Sequence, residues 1–134
     1  MRVFLDTNVL VAAFATRGLC ADVVRLVLAE HDLITGEVVL VELSDVLTRR
    51  LKLPSSTVAA ILALLRAQEV VPKPVKPLEL PIRDPDDRWV LASAVNGKAD
   101  VLVTGDEDLL AVAAHAPVRI VNPRGLWEQL RSAN

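Results

Sequence analysis

A chain of 134 residues has the size of one ordinary domain and is long enough to bury a core without accessory staples. Its 52% hydrophobic and 3% aromatic content implies a core of aliphatic side chains, and a formal net charge of −2 excludes a protein that coats nucleic acid through a global positive field. The single cysteine, Cys20, excludes an internal disulfide and a cysteine-rich zinc site; it suits a reducing, cytoplasmic setting and reads as a small buried hydrophobe.

Short β-branched runs alternate with longer helical patterns, which predicts a mostly parallel sheet of about five strands covered on both faces, a three-layer α/β/α fold. The first strand is Val3-Phe4-Leu5, ending at Asp6. Arg2 and the apolar run over 9–15 have the outline of a secretory signal. Asp6 and Asn8 interrupt that outline and cleavage would discard the strand, so the segment is expected to stay in the fold. A helix over 22–30 follows, with Val23, Val24, Leu26, Val27 and Leu28 as its apolar stripe. Leu33-Ile34 is a short strand, and Thr35-Gly36 opens a helix to about Leu51, stopped by Leu53-Pro54.

A helix over 57–68 and a strand at Val70-Val71 come next. Residues 72–81 hold four of the eight prolines and read as a connecting arm inside one domain spanning 1–134, because neither flank could fold alone. Asp84-Pro85 is a helix start, Asp as N-cap and Pro in the first turn, with Gly97 closing the helix. Residues 101–104 form a strand, 106–115 a short helix and 118–121 the last strand. Asn122-Pro123 begins a terminal helix carrying Leu126, Trp127 and Leu130. No apolar stretch approaches the ~18 residues of a membrane span, so a soluble protein is expected.

In open α/β sheets ligands gather at the carboxyl ends of the strands. Asp6 closes the first strand, Asp106 follows the strand that ends at Thr104, Asp87 lies in the first turn after Asp84, and Glu42 sits on the helix after the second strand. Glu42 neighbours Val39, Leu43 and Val46 at helical spacing and is expected to border the core face, where a carboxylate needs a partner. Arg49, two turns on, is the candidate within the same helix. Two like charges 4 Å apart repel by about 4 kcal/mol at an effective dielectric of 20. A divalent cation removes that objection: Mg²⁺ prefers carboxylate oxygen and water, and a metal-bound site can drive in-line phosphodiester cleavage.

Four segments, Leu5-Asp6-Thr7-Asn8-Val9, the helical Glu42, the run 84–92 (DPDDRWVLA) and the run 103–110 (VTGDEDLL), resemble those of PIN-domain nucleases in the same order and span nearly the whole chain. The likeness is nearest to the VapC toxins of toxin-antitoxin pairs. The resemblance implies a Mg²⁺- or Mn²⁺-dependent ribonuclease with Asp6, Glu42, Asp87 and Asp106 as its acidic metal quartet. It also implies Asn8 and Thr104 as polar supports, RNA as substrate, an antitoxin protein as partner, and a homodimer. The apolar run Ala59-Ala60-Ile61-Leu62-Ala63-Leu64-Leu65 has few polar interruptions for a solvent-facing helix, which fits the homodimer.

Each residue also has a structural reading. Asp84, Asp86 and Asp87 can all cap a helix and complement its dipole, and for Asp84 the cap is the expectation. Asp108 is expected to start a helix, not to bind. Asn8 and Thr104 can cap or end their elements. His31 and His115 are too few and too distant for a zinc triad. Trp89 and Trp127 are expected to pack in the fold, and the scattered basic residues, Arg50 among them, to be solvated surface. A receiver-like phosphoacceptor would want a lysine where Thr104-Gly105-Asp106 stands, and an aspartyl phosphatase an Asp where Asn8 stands. A catalytically silent interaction module would have no need to keep mutually repelling carboxylates.

Overall fold

The structure is a computed structural model and describes residues 1–132. Strands β1 (Arg2–Leu5), β2 (Asp32–Gly36), β3 (Glu69–Val71), β4 (Val101–Val103) and β5 (Arg119–Val121) form one sheet in the order β3-β2-β1-β4-β5. Every adjacent pair is parallel. Helices α1 (Thr7–Ala15), α2 (Leu19–Glu30), α3 (Glu37–Asp45), α4 (Ser55–Arg66), α5 (Pro85–Asn96), α6 (Glu107–Ala111) and α7 (Pro123–Ser132) connect and follow the strands.

The side chains of Val3, Phe4, Leu5, Val101, Leu102 and Val103 are fully buried, as expected of central parallel strands covered on both faces. The outer strands expose Glu69 and Arg119. The chain moves outward from β1 through β2 to β3, then returns past its origin to β4 and β5. Helices pack across the sheet's central strands, α2 with α7 and α3 with α5, giving helical layers around the sheet. Helix α2 packs on β2, and α5 spans β2, β3 and β4. The reversal also makes β1 and β4 neighbours whose continuations leave toward opposite edges of the sheet. A crevice opens at their carboxyl ends, and it holds the candidate site.

Local structure departs from the sequence expectations at several points. Residues 7–15 are a helix of their own, α1, capped by Asp6, whose carboxylate accepts from the backbone N–H of Thr7 at 2.7 Å. Helix α2 begins at Leu19, earlier than its apolar stripe indicates. The long helix expected to run to Leu51 is α3 followed by one π-helical turn, Val46–Arg50. The short helix over 106–115 is α6 and a separate 3₁₀ turn, Ala113–His115. Gly97 does end α5, but with φ −78; the left-handed residue is Lys98, at φ 54. Glycine is required at 97 for space, because a Cβ there would stand 2.6 Å from Val71 Cγ2.

Candidate functional site

Two loops build the floor of the crevice. Asp6 leaves β1 and Thr104 leaves β4, and both side chains are buried, at 4% and 0% exposure. The Thr104 hydroxyl donates to Asp6 Oδ2 at 2.8 Å and accepts from the Asp106 backbone N–H at 3.0 Å. Asn8 spans the two loops: its amide nitrogen lies 3.3 Å from both Asp6 Oδ2 and Thr104 Oγ1, and its carbonyl oxygen accepts from the Gly105 N–H at 2.8 Å. The network therefore fixes the Asp6 carboxylate and the start of α6 relative to each other. Asn8 and Thr104, expected as polar supports, hold that geometry.

Asp106 caps α6 by accepting from the Asp108 N–H at 2.8 Å. Asp84 caps α5 by accepting from the Asp86 N–H at 3.0 Å, as the sequence indicates. That cap and Pro85 start the helix so that Asp87, one turn in, points inward at 7% exposure. Its Oδ2 is buried without a hydrogen-bond partner. One carboxylate oxygen each from Asp87, Asp106 and Asp108 lie within 4.8 Å of one another. Asp108, expected to be structural only, thus belongs to the acidic group. The signal available was its position two residues after Asp106, which the helix-start reading accounted for equally well.

Glu42 corrects another expectation. It lies on α3 but faces the open cleft and not the core, and it is exposed. Arg49 does not bend back to it; Arg49 pairs with Asp45 at 3.0 Å. The cation whose field reaches Glu42 is Arg50. Asp6, Asn8, Glu42, Asp87 and Asp106 all line this one cleft, of about 770 Å³, together with Val41, Trp89 and the outer acids. All four members of the expected quartet line the cleft, but the carboxylates within 4.8 Å of one another are those of Asp87, Asp106 and Asp108, without Asp6 or Glu42.

Two of the outer acids are neutralised and the inner ones are not. Glu37 pairs with Arg66 at 2.8 Å and Asp45 with Arg49, whereas none of the ion pairs among the described residues involves Asp6, Glu42, Asp87 or Asp106. Burial raises the Asp6 carboxyl above its ordinary range against the pull of its hydrogen bonds from Thr104 and Thr7. Partial burial and then the charge of Asp6 raise Glu42. Asp87 is pushed up to about 8, by burial first and then by the charge of Asp106. Carboxylates brought into one cleft without an ion pair, one with an orphaned buried oxygen, fit a hard divalent ion: the donors are all oxygen, the preference of Mg²⁺ and Mn²⁺.

Comparison with known proteins bears on the fold and the family. No curated protein sequence matches the chain. Solved structures that share the fold at low identity include the following. VapBC2 from Rickettsia felis bound to a DNA fragment from its promoter is 17% identical, with a TM-score of 0.64 over 91% of this chain and 98% of that one. VapBC-1 from nontypeable Haemophilus influenzae is 19% identical, with a TM-score of 0.61 over 92% and 99%. Mycobacterium tuberculosis VapC20, a sarcin-ricin loop cleaving toxin, is 17% identical, with a TM-score of 0.60 over 82% and 94%. The sequence pattern of the PIN domain matches residues 2–108, which takes in Asp6, Glu42, Asp87 and Asp106, and the chain belongs to the PIN domain family.

Proposed function

We propose that this single domain, residues 1–134, is a Mg²⁺- or Mn²⁺-dependent ribonuclease and the toxin of a toxin-antitoxin pair. The observation that carries the reading is the convergence of Asp6, Glu42, Asp87 and Asp106 in one cleft without a compensating ion pair, with an oxygen of Asp87 buried and unpartnered. Asp6, Asp87 and Asp106 would hold the ion, with Asp108 completing the inner group and Glu42 facing the substrate side. A divalent cation there supplies the positive charge that offsets the carboxylates and the Lewis acidity that favours attack of water on a phosphodiester.

The chain's own residues contribute orientation. Thr104 and Asn8 fix Asp6, so no reorganisation is needed when substrate enters. Asp106 is held by its role as the α6 cap. Glu42 has a raised proton affinity and stands where it can accept and release a proton beside the incoming water. The VapBC complexes of similar fold support an antitoxin partner, and the sarcin-ricin loop cleaving toxin supports RNA as substrate. We place the protein in the cytoplasm as a homodimer; no helix among the described residues is long and apolar enough to cross a membrane.

The test is cleavage of a mixed RNA pool by the purified protein with Mn²⁺ or Mg²⁺, with EDTA and Asp6→Asn as controls. Metal-dependent cleavage lost in both controls supports the reading. Folded protein that binds Mn²⁺ yet leaves every RNA intact would make the chain an interaction module.

A further inference from the structure

The cleft is acidic far beyond the needs of one ion, with eight carboxylate side chains in its lining and two cations, Arg50 and Lys73. A polyphosphate strand can approach such a surface only where positive charge meets it. Neither cation is consumed by an ion pair among the described residues. Arg50 is presented by the π-helical turn Val46–Arg50, a local distortion of the kind that re-aims side chains at functional sites. The preceding Arg49 is taken by Asp45, which leaves Arg50 as the free guanidinium beside Glu42.

Lys73 comes from the proline-rich arm after β3. Its Nζ lies 5.1 Å from the centroid of the Trp89 ring, and both side chains line the cleft. Trp89 sits two residues after Asp87 and is only half-buried, so a ring expected to pack in the fold instead forms part of the cleft wall. A lysine on the ring of a half-buried tryptophan that lines a cleft is an exchangeable partner: a nucleobase can take the ring by stacking while the ammonium moves to the adjoining phosphate.

We infer that Lys73, Trp89 and Arg50 form the nucleotide-binding margin of the cleft, with Trp89 stacking one unpaired base and the two cations gripping its flanking phosphates. The inference rests on the ribonuclease reading and specifies its substrate class as single-stranded or looped RNA. A base inside a duplex is stacked on both faces and has none to offer Trp89. These three are binding residues; the inner carboxylates keep their separate role.

The experiment uses Trp fluorescence in the full chain carrying Trp127→Phe, so that Trp89 is the sole reporter, and Asp6→Asn to stop turnover. Octauridylate and a self-complementary RNA duplex are titrated with Ca²⁺ present. The single strand is expected to quench Trp89 and the duplex to leave it unchanged. Lys73→Ala and Arg50→Ala should each weaken binding by roughly tenfold and lower the slope of log affinity against log salt by about one. Trp89→Leu, its affinity read from the polarisation of fluorescein-labelled octauridylate, should weaken binding about tenfold or more, with Trp89→Phe restoring most of it by the same readout. Equal quenching by duplex, or unchanged affinity and salt slope in both cation variants, overturns the inference. If the cation and Trp89 variants also cleave an RNA pool like wild type while Asp87→Asn does not, the margin falls and the nuclease reading stands. Absence of both metal-dependent cleavage and RNA binding in otherwise wild-type protein rejects the two together.

Discussion

Replacing Asp87 with asparagine should stabilise the metal-free protein and abolish its response to metal. Asp87 is pushed from 3.8 to about 8 by burial and the neighbouring Asp106. At ~1.4 kcal/mol per pH unit, that sets a ceiling of roughly 5 kcal/mol on the cost of its charge at pH 8. Water entering the open cleft relieves part of this, so the neutral, isosteric amide should recover about 2 kcal/mol. Because the folded-state value lies above the unfolded one, the penalty is absent below about pH 4 and grows as pH rises toward 8. Metal-free wild type should therefore melt higher at pH 5 than at pH 8, and Asp87→Asn should flatten that difference. For a chain of this size about 2 kcal/mol corresponds to a melting shift of roughly 8 °C at pH 8. Mn²⁺ at a hundredfold excess over its dissociation constant should add ~2.7 kcal/mol to wild type and almost nothing to the variant. Thermal melts at both pH values, with EDTA or Mn²⁺, read all of this. A variant less stable than wild type at pH 8 without metal, or equally stabilised by Mn²⁺, would refute the reasoning.

Other substitutions separate support from binding. Thr104→Val removes the hydroxyl that joins Asp6 to the Asp106 backbone, should cost about 1–3 kcal/mol, and should weaken Mn²⁺ affinity by raising the Asp6 carboxyl further; melting and calorimetric titration check both. Asp84→Ala should cost about 1 kcal/mol through loss of the α5 cap with little change in Mn²⁺ affinity, whereas Asp108→Asn should do the reverse. Gly97→Ala forces a Cβ against Val71 and should lower stability by about 1–3 kcal/mol, measured in urea, while cleavage by the fraction that remains folded is unchanged.

Much of the site was legible in the residues because strand ends are marked chemically: a carboxylate directly after Val3-Phe4-Leu5 has few other places to be in a parallel sheet. Asp84-Pro85 likewise announced its helix, whereas the helix start alone left Asp87 equally readable as a cap, and its inward turn is a fact of the fold. Helix α1 was not legible, since Val9-Leu10-Val11-Ala12-Ala13-Phe14-Ala15 is apolar on every side and carries no helical period. The π turn after α3 continues the helical pattern of its parent, so nothing in the spacing betrays it or the place of Arg50 in the cleft lining. Glu42 was misplaced for a related reason: a helix with apolar residues on several faces does not reveal which boundary faces the cleft. Lys73 lies in an arm without periodicity, and its meeting with Trp89 is a tertiary fact.

The account turns on whether these carboxylates hold a cation, and Mn²⁺-soaked crystals measured at the manganese edge answer that directly. The prediction is an anomalous peak within ~2.0–2.3 Å of carboxylate oxygens from Asp6, Asp87 and Asp106, absent from crystals of Asp87→Asn. Strong Mn²⁺ density elsewhere on the chain, with this cleft empty and its carboxylates turned apart, would contradict it.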